Sequence, residues 1–219
     1  MLTEKIKIKP FKFKKNKNIF RFITELLSNK SELISSLGKG YKNEYCFHKL
    51  VGKYSKQDVR IFGIGGSSLG AKAIYFFLKK KIKKNFYFID NLGEDISLKK
   101  NEKFLDLVIS KSGNTLETIV NLNLHNKPKN KKIFITENKA SYLSTLAKNL
   151  KSEIIHHNNF IGGRFSVLSE TGMFPAELMG FNPSNFRRLN DLIKNKKILN
   201  SLVSNVTAIL NYSKKMKIF

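Results

Sequence analysis

Twice in this chain a short apolar run ends in a loop of glycines or hydroxyl residues and passes straight into helical spacing. Residues 59–64 lead into Gly65, Gly66 and Ser67, after which Leu69, Ala73, Phe76 and Phe77 recur at helical intervals. Residues 104–109 lead into Ser110, Lys111, Ser112, Gly113, Asn114 and Thr115, followed by Leu116, Ile119, Val120 and Leu124. A strand that turns directly into a helix is the first half of a βαβ unit. Further short apolar runs at 86–89, 133–135 and 154–155, and helical spacing over 142–150, extend the pattern. The sequence therefore predicts an α/β fold, a three-layer α-β-α arrangement of a mainly parallel sheet with helices on both faces. Ligands of such folds bind beyond the carboxyl ends of the strands, where both loops fall.

The flanks read as helical. Phe22, Ile23, Leu26, Leu27, Leu33, Ile34 and Leu37 keep helical spacing, with a break near Ser31 and a stop at Gly38 and Gly40. Toward the other end, Ser184 is expected to cap a helix running through Lys196, and Leu199, Leu202, Val203, Val206, Ile209 and Leu210 stripe another. No internal repeat is present.

Lysine and arginine number 41 against 16 aspartate and glutamate, a net charge of +25. Only five are arginine (Arg21, Arg60, Arg164, Arg187 and Arg188), although arginine is the residue that bidentate nucleic-acid recognition favours. The lysines are spread along the chain and mixed with asparagine, as in residues 126–132. We read the charge as a bias of solvated faces and expect no nucleic-acid and no membrane partner. A hydrophobic content of 41% with 18 phenylalanines excludes a disordered polycation. No apolar run approaches the roughly 20 residues of a spanning helix, and the first 18 residues form a lysine ladder without the apolar centre of a secretory signal. A cytoplasmic protein is expected. Cys46 is alone, so neither a disulfide nor a structural metal site is expected.

The first loop is not a P-loop: Gly65 and Gly70 are suitably separated, but Ala71 intervenes before Lys72 and no Ser or Thr follows to hold magnesium. A dinucleotide reading stays open. Gly63-x-Gly65 is followed by Ser68 where a third glycine or alanine is expected, while Asp90 ends the next strand where a ribose-binding acid would sit. A terminal phosphate monoester is the other reading, because glycines let the backbone approach an anion, a helix N-terminus offers free N–H groups, and Ser67 adds a hydroxyl. A glycine turn serving packing alone is the plain alternative. In the second loop Ser110, Ser112 and Thr115 surround Gly113, with Lys111 among them. Serine-rich turns are common helix caps. A dianionic phosphate, however, accepts several hydrogen bonds, and four or five at roughly 1.5 to 3 kcal/mol each suffice for micromolar affinity after entropic costs.

Together with Gly162-Gly163-Arg164-Phe165-Ser166-Val167-Leu168-Ser169, these two loops resemble the three successive motifs of the glucose-6-phosphate isomerase family, over roughly residues 59–180. The resemblance implies a sugar-isomerase (SIS) domain and the interconversion of glucose 6-phosphate and fructose 6-phosphate, a step of glycolysis and gluconeogenesis. The reaction passes through a cis-enediol and needs no metal or organic cofactor. It further implies a phosphate site made by Gly65, Gly66, Ser67, Ser110, Lys111, Ser112 and Thr115. Gly163 and Arg164 would lie beside the reacting carbons, with Arg164 stabilising the enediolate, and Glu117 would orient the ring-opening histidine. Read without the motifs, Arg164 is a surface residue in a glycine turn and Glu117 a helix-start acid favouring the dipole.

The family's glutamate base, ring-opening histidine and later lysine find no counterpart here. Glu170 and Glu177 follow the Gly-Gly-Arg motif too closely, His156 and His157 precede it at a strand end, and His48 and His125 are isolated. The expected organisation is a basic arm and helical segment over 1–58, the SIS domain over 59–180, and a helical segment over 181–219 leading to a missing second SIS domain. The chain is thus expected to be a fragment, inactive alone, of an enzyme that is typically a homodimer. A noncatalytic SIS module that senses sugar phosphates is the alternative from a different class, with nucleic-acid binding through the lysines the third.

Overall fold

The computed structural model describes residues 16–28, 32–38, 40–43, 45, 47–54, 56–93, 103–189 and 195–215. The expectations for the basic arm before residue 16, for Ser31 and for Cys46 lie outside these. The chain divides into two compact units, residues 42–185 and residues 1–41 with 186–219.

The larger unit contains five parallel strands, β1 (Asp58–Phe62), β2 (Phe86–Ile89), β3 (Phe104–Ile109), β4 (Lys131–Thr136) and β5 (Glu153–His156), in the order β2-β1-β3-β4-β5. All four pairings are parallel, and the strands carry buried apolar side chains on both faces. On one face, α5 (Leu116–Leu124) and α6 (Tyr142–Asn149) bring Leu122, Leu143 and Ala147 onto Phe62, Ile89, Val108 and Phe134. On the other, Tyr75 of α4 (Leu69–Leu78) packs at a tilt against Phe86 and Phe88 at 5.5 and 5.8 Å between ring centroids, and α4 packs against the buried helix α7 (Glu170–Leu178). Before β1, the short helix α3 (Phe47–Lys53) also packs on α7. The three-layer α/β architecture expected from the sequence is the one observed.

One row across the sheet is charged. Arg60, Asp106 and Lys132 stand side by side on β1, β3 and β4. Arg60 donates from Nε and Nη2 to the two carboxylate oxygens of Asp106 at 2.7 and 2.8 Å, with both side chains buried. Nη2 also reaches the His125 carbonyl at 3.1 Å, and the guanidinium lies between the rings of Phe62 and Phe104. Lys132 donates to the carbonyls of Lys127 and Asn130. Burial depresses its pKa, with Arg60 adding to the effect and Asp106 opposing it.

The smaller unit holds α1 (Lys17–Ser28), α2 (Glu32–Ser36) and α8 (Lys196–Lys215), with α1 packed on α8. Of the helix expected from Ser184 through Lys196, the described residues form a 3-10 turn, Pro183–Leu189, and the start of α8 at Lys196. Asparagines account for the difference. The Asn182 side chain accepts from the Ser184 N–H at 2.9 Å, and Asn195 accepts from the Lys197 N–H at 3.0 Å, so each opens its own turn. Among the described residues no helix is long and apolar enough to cross a membrane.

Candidate active site

Beyond β1 the chain forms a 3-10 turn, Gly65–Ser67, and enters α4. Two glycines here are demanded by the geometry. Gly65 has φ +59°, and a Cβ on Gly66 would overlap the carbonyl of Gly163. The first loop therefore rests directly on the Gly-Gly-Arg turn. The Ser67 hydroxyl is half-buried and without a partner among the described residues. Asp90, the acid of the dinucleotide reading, is taken by Lys72 of α4, whose Nζ lies 3.2 and 2.9 Å from its two oxygens. That ion pair withdraws the ribose ligand the dinucleotide reading needs.

The second loop is clamped to the neighbouring strand and helix. Ser110 N–H donates to Ile135, Glu137 N–H to the Lys111 carbonyl, and Leu143 N–H to the Gly113 carbonyl, while Tyr142 N–H donates to Asn114 Oδ1. Gly113 has φ +68°, and a Cβ there would overlap Ser141 Oγ. Held this way, three hydroxyls converge. Ser110 Oγ lies 2.8 Å from Thr115 Oγ1 and 3.4 Å from Ser112 Oγ, and Ser112 Oγ lies 3.4 Å from Thr115 Oγ1. Thr115 occupies the cap position of α5 but makes no side-chain cap bond. The helix-cap reading of this loop thus fails for Thr115, and the cluster sits against the positive end of α5.

Lys111 turns its ammonium elsewhere, to the Asn159 carbonyl at 2.7 Å and Glu137 Oε1 at 3.3 Å. Burial alone would raise the pKa of Glu137, but hydrogen bonds from Lys139 and Lys111 outweigh it and hold the carboxyl below its ordinary value. Glu117 is the second residue of α5, half-buried and without a polar partner among the described residues.

The third motif is a 3-10 turn, Gly163–Leu168, opened by extended Gly162. Ser166 Oγ, buried inside it, shares its one proton between the carbonyls of Gly163 and Gly66 at 2.7 and 3.1 Å, stitching the first loop to this turn. Arg164 is exposed and free of hydrogen bonds and ion pairs among the described residues. The structure thus gathers Ser110, Ser112 and Thr115, and sets Gly66 on Gly163. It does not bring Arg164 or Glu117 into contact with the hydroxyls.

Sequence reasoning missed His157, taken as a plain strand-end residue. It is 3% exposed, and its Nε2 lies 3.1 Å from Ser169 Oγ. Burial, reinforced by the charge of Lys111, pushes its pKa down to about 4. The doublet itself carried the signal, since His156 faces out where His157 faces in.

The phosphoglucose isomerase family matches residues 23–206. Glucose-6-phosphate isomerase of Methanocaldococcus jannaschii is 31% identical over 194 residues, covering 74% of this chain and 47% of that protein. Glucose-6-phosphate isomerase of Borreliella burgdorferi (strain ZS7) is 37% identical over 194 residues, covering 74% and 36%. The chain therefore spans between about a third and half of the length of these curated relatives. A hypothetical protein of Thermus thermophilus, solved by crystallography, shares the fold with a TM-score of 0.66 at 21% identity, over 89% of this chain and 52% of that one. With a match that runs through all three motifs and two relatives above 30% identity over 74% of its length, the chain belongs to the phosphoglucose isomerase family.

Proposed function

We propose that the complete protein interconverts glucose 6-phosphate and fructose 6-phosphate, and that this chain supplies the phosphate subsite and one wall of the reacting centre. Ser67, Ser110, Ser112 and Thr115 bind the phosphate oxygens, with the backbone of Gly65 and Gly66 and the start of α5 behind them. Lys111 contributes through the shape of the loop, because its ammonium is engaged by Glu137 and Asn159. In the aldose-to-ketose direction a base removes the C2 proton of the open-chain sugar, and negative charge gathers on O1, which takes up a proton to give the cis-enediol. The O2 proton then leaves as C1 gains one, and the ketone forms. Gly163 lets the backbone approach the sugar, and Arg164, without a partner among the described residues, stabilises the enediolate charge. Glu117 orients a ring-opening histidine that is not among the residues assigned here. The scheme uses no cofactor, and the complete enzyme acts as a cytoplasmic homodimer.

The observation that carries this reading is the convergence of three hydroxyls at a helix start that Thr115 leaves uncapped. Amide chemical shifts of the ¹⁵N-labelled chain test it. Fructose 6-phosphate and inorganic phosphate are expected to move the amides of 65–67 and 110–116, and fructose to leave them unmoved. Silence of these amides toward both phosphates, or a response to NADH in their place, would overturn it.

A further inference from the structure

The turn that carries Arg164 is short, glycine-led and exposed at three of its first four positions, counting from Gly163. Something must fix it if a guanidinium there is to meet charge at a defined point. The hydrogen bonds identify a strut. His157 follows the last residue of β5, and its backbone N–H donates to the Thr136 carbonyl at 2.9 Å. Thr136 Oγ1 donates in turn to the Lys111 carbonyl in the second loop at 3.3 Å. From this mount the His157 ring reaches Ser169, at the end of the Arg164 turn.

Proton counting fixes the ring. Ser169 has one hydroxyl proton, and it goes to the Ser166 carbonyl at 2.7 Å. Toward His157 it can only accept, so Nε2 carries the hydrogen and Nδ1 keeps a lone pair. Nδ1 has no hydrogen-bond partner among the described residues, as that tautomer allows. From Ser169 the chain of bonds continues through Ser166 to the carbonyls of Gly163 and Gly66.

We propose that His157 is a positioning residue: as the neutral Nε2–H tautomer it ties the Arg164 turn to the strand ends that carry the phosphate loop, setting the guanidinium relative to the phosphate. The idea rests on the sugar-phosphate reading for its purpose, and on the bond chain alone for its geometry. The charged groups around the ring oppose one another. Lys111 in the second loop disfavours a second ring proton, while Glu137 after β4 and the backbone of Asn158 favour it. Burial sides with Lys111, so the ring is neutral near pH 7.

The test compares the purified chain with His157→Phe, which fills the space but cannot donate, and His157→Gln, whose amide nitrogen reaches about as far as Nε2 and can. Three readouts are taken. Long-range ¹⁵N spectra of the unsubstituted chain at pH 7 are expected to show Nδ1 as a lone-pair nitrogen and Nε2 as protonated. Amide exchange over 165–169 is expected to accelerate about tenfold in the Phe variant, the worth of one hydrogen bond, and to stay near the parent rate in the Gln variant. A five-carbon aldonate 5-phosphate, whose carboxylate copies enediolate charge, should lose about tenfold in affinity with Phe and little with Gln, while inorganic phosphate binds all three alike.

An Nδ1–H ring, identical behaviour of Phe and Gln, or an equal loss of phosphate affinity would each overturn the proposal. If the parent chain binds neither anion, the sugar-phosphate reading fails, and the ring nitrogens and exchange rates still decide whether the strut exists. If the Phe variant does not fold, the ring spectrum of the parent and the exchange rates of the Gln variant decide it.

Discussion

Ser110 Oγ lies 2.8 Å from Thr115 Oγ1, and the pair, with Ser112, bonds among its own members, while Ser110 and Ser112 also accept the Gly113 and Asn114 N–H groups at 3.2 Å each. Such mutual bonds are neutral ones, readily exchanged for stronger bonds to a dianion. Removing two hydroxyls that each contribute roughly 1.5 to 3 kcal/mol to a charged acceptor should weaken binding about a hundredfold or more. Ser110→Ala combined with Thr115→Val is expected to do this to both inorganic phosphate and fructose 6-phosphate in calorimetric titration. Arg164→Ala is expected to leave phosphate affinity within about twofold and to lower turnover of the complete enzyme strongly. Equal effects of the two changes on affinity and turnover would contradict the division of roles.

Arg60 and Asp106 predict the stability of the sheet. Both are buried, and their bidentate contact lies in the charged row with Lys132. Breaking a buried pair leaves an uncompensated charge and costs about 3 to 5 kcal/mol, whereas replacing both partners with apolar residues is often near neutral. Arg60→Leu should therefore lower the urea midpoint sharply, and Arg60→Leu with Asp106→Leu should recover most of the loss. A double variant no more stable than the single would show that the row is needed as a whole.

The same row explains how far the fold was legible. β2 was readable because its run is apolar throughout, and β3 because five apolar residues flank the single Asp106, while the edges of β1 and β4 blurred. β4 begins at Lys131, ahead of the apolar core at Ile133, because buried Lys132 belongs to the ladder and its ammonium is satisfied by nearby carbonyls. β1 ends at Phe62, short of residue 64, where Gly63 comes so close to the Ile109 carbonyl that a Cβ would lie 2.9 Å from it. In the site, the hydroxyl loop announced itself through local spacing. His157 did not, because its partner Ser169 is brought to it only by the 3-10 turn between them. Likewise, the competition of Asn182 with Ser184 for the turn is decided by side-chain geometry that residue type alone does not rank.

Gly65 and Gly66 are neighbours with different constraints. Around Gly65 there is open space, so its φ of +59° is the whole demand, and Gly65→Ala should cost about 1 to 2 kcal/mol. Gly66→Ala would drive a methyl into the Gly163 backbone, which cannot move without releasing Ser166 from both carbonyls. The larger loss of thermal stability is expected for Gly66→Ala, together with faster amide exchange over 165–169. Equal losses would mean that the two loops are not in rigid contact.

His157 also predicts a pH dependence of stability. Its folded pKa, about 4, lies below the ordinary 6.5, so between those values the unfolded chain binds the extra proton and the folded chain does not. Stability from this group is complete above pH 6.5 and is lost as pH falls toward 4, by about 3 kcal/mol for a shift of this size. Glu137, whose carboxyl is held below its ordinary value, loses its own contribution only as pH falls through the carboxylate range. Subtracting the profile of His157→Gln from that of the parent isolates the histidine. Urea unfolding at half-unit steps from pH 7.5 to 4, roughly the window of the linkage, should give a difference that declines steadily below about 6.5. A flat difference would mean that the ring takes up its proton in the folded chain as readily as in the unfolded one, and that the neutral ring is not what holds Ser169.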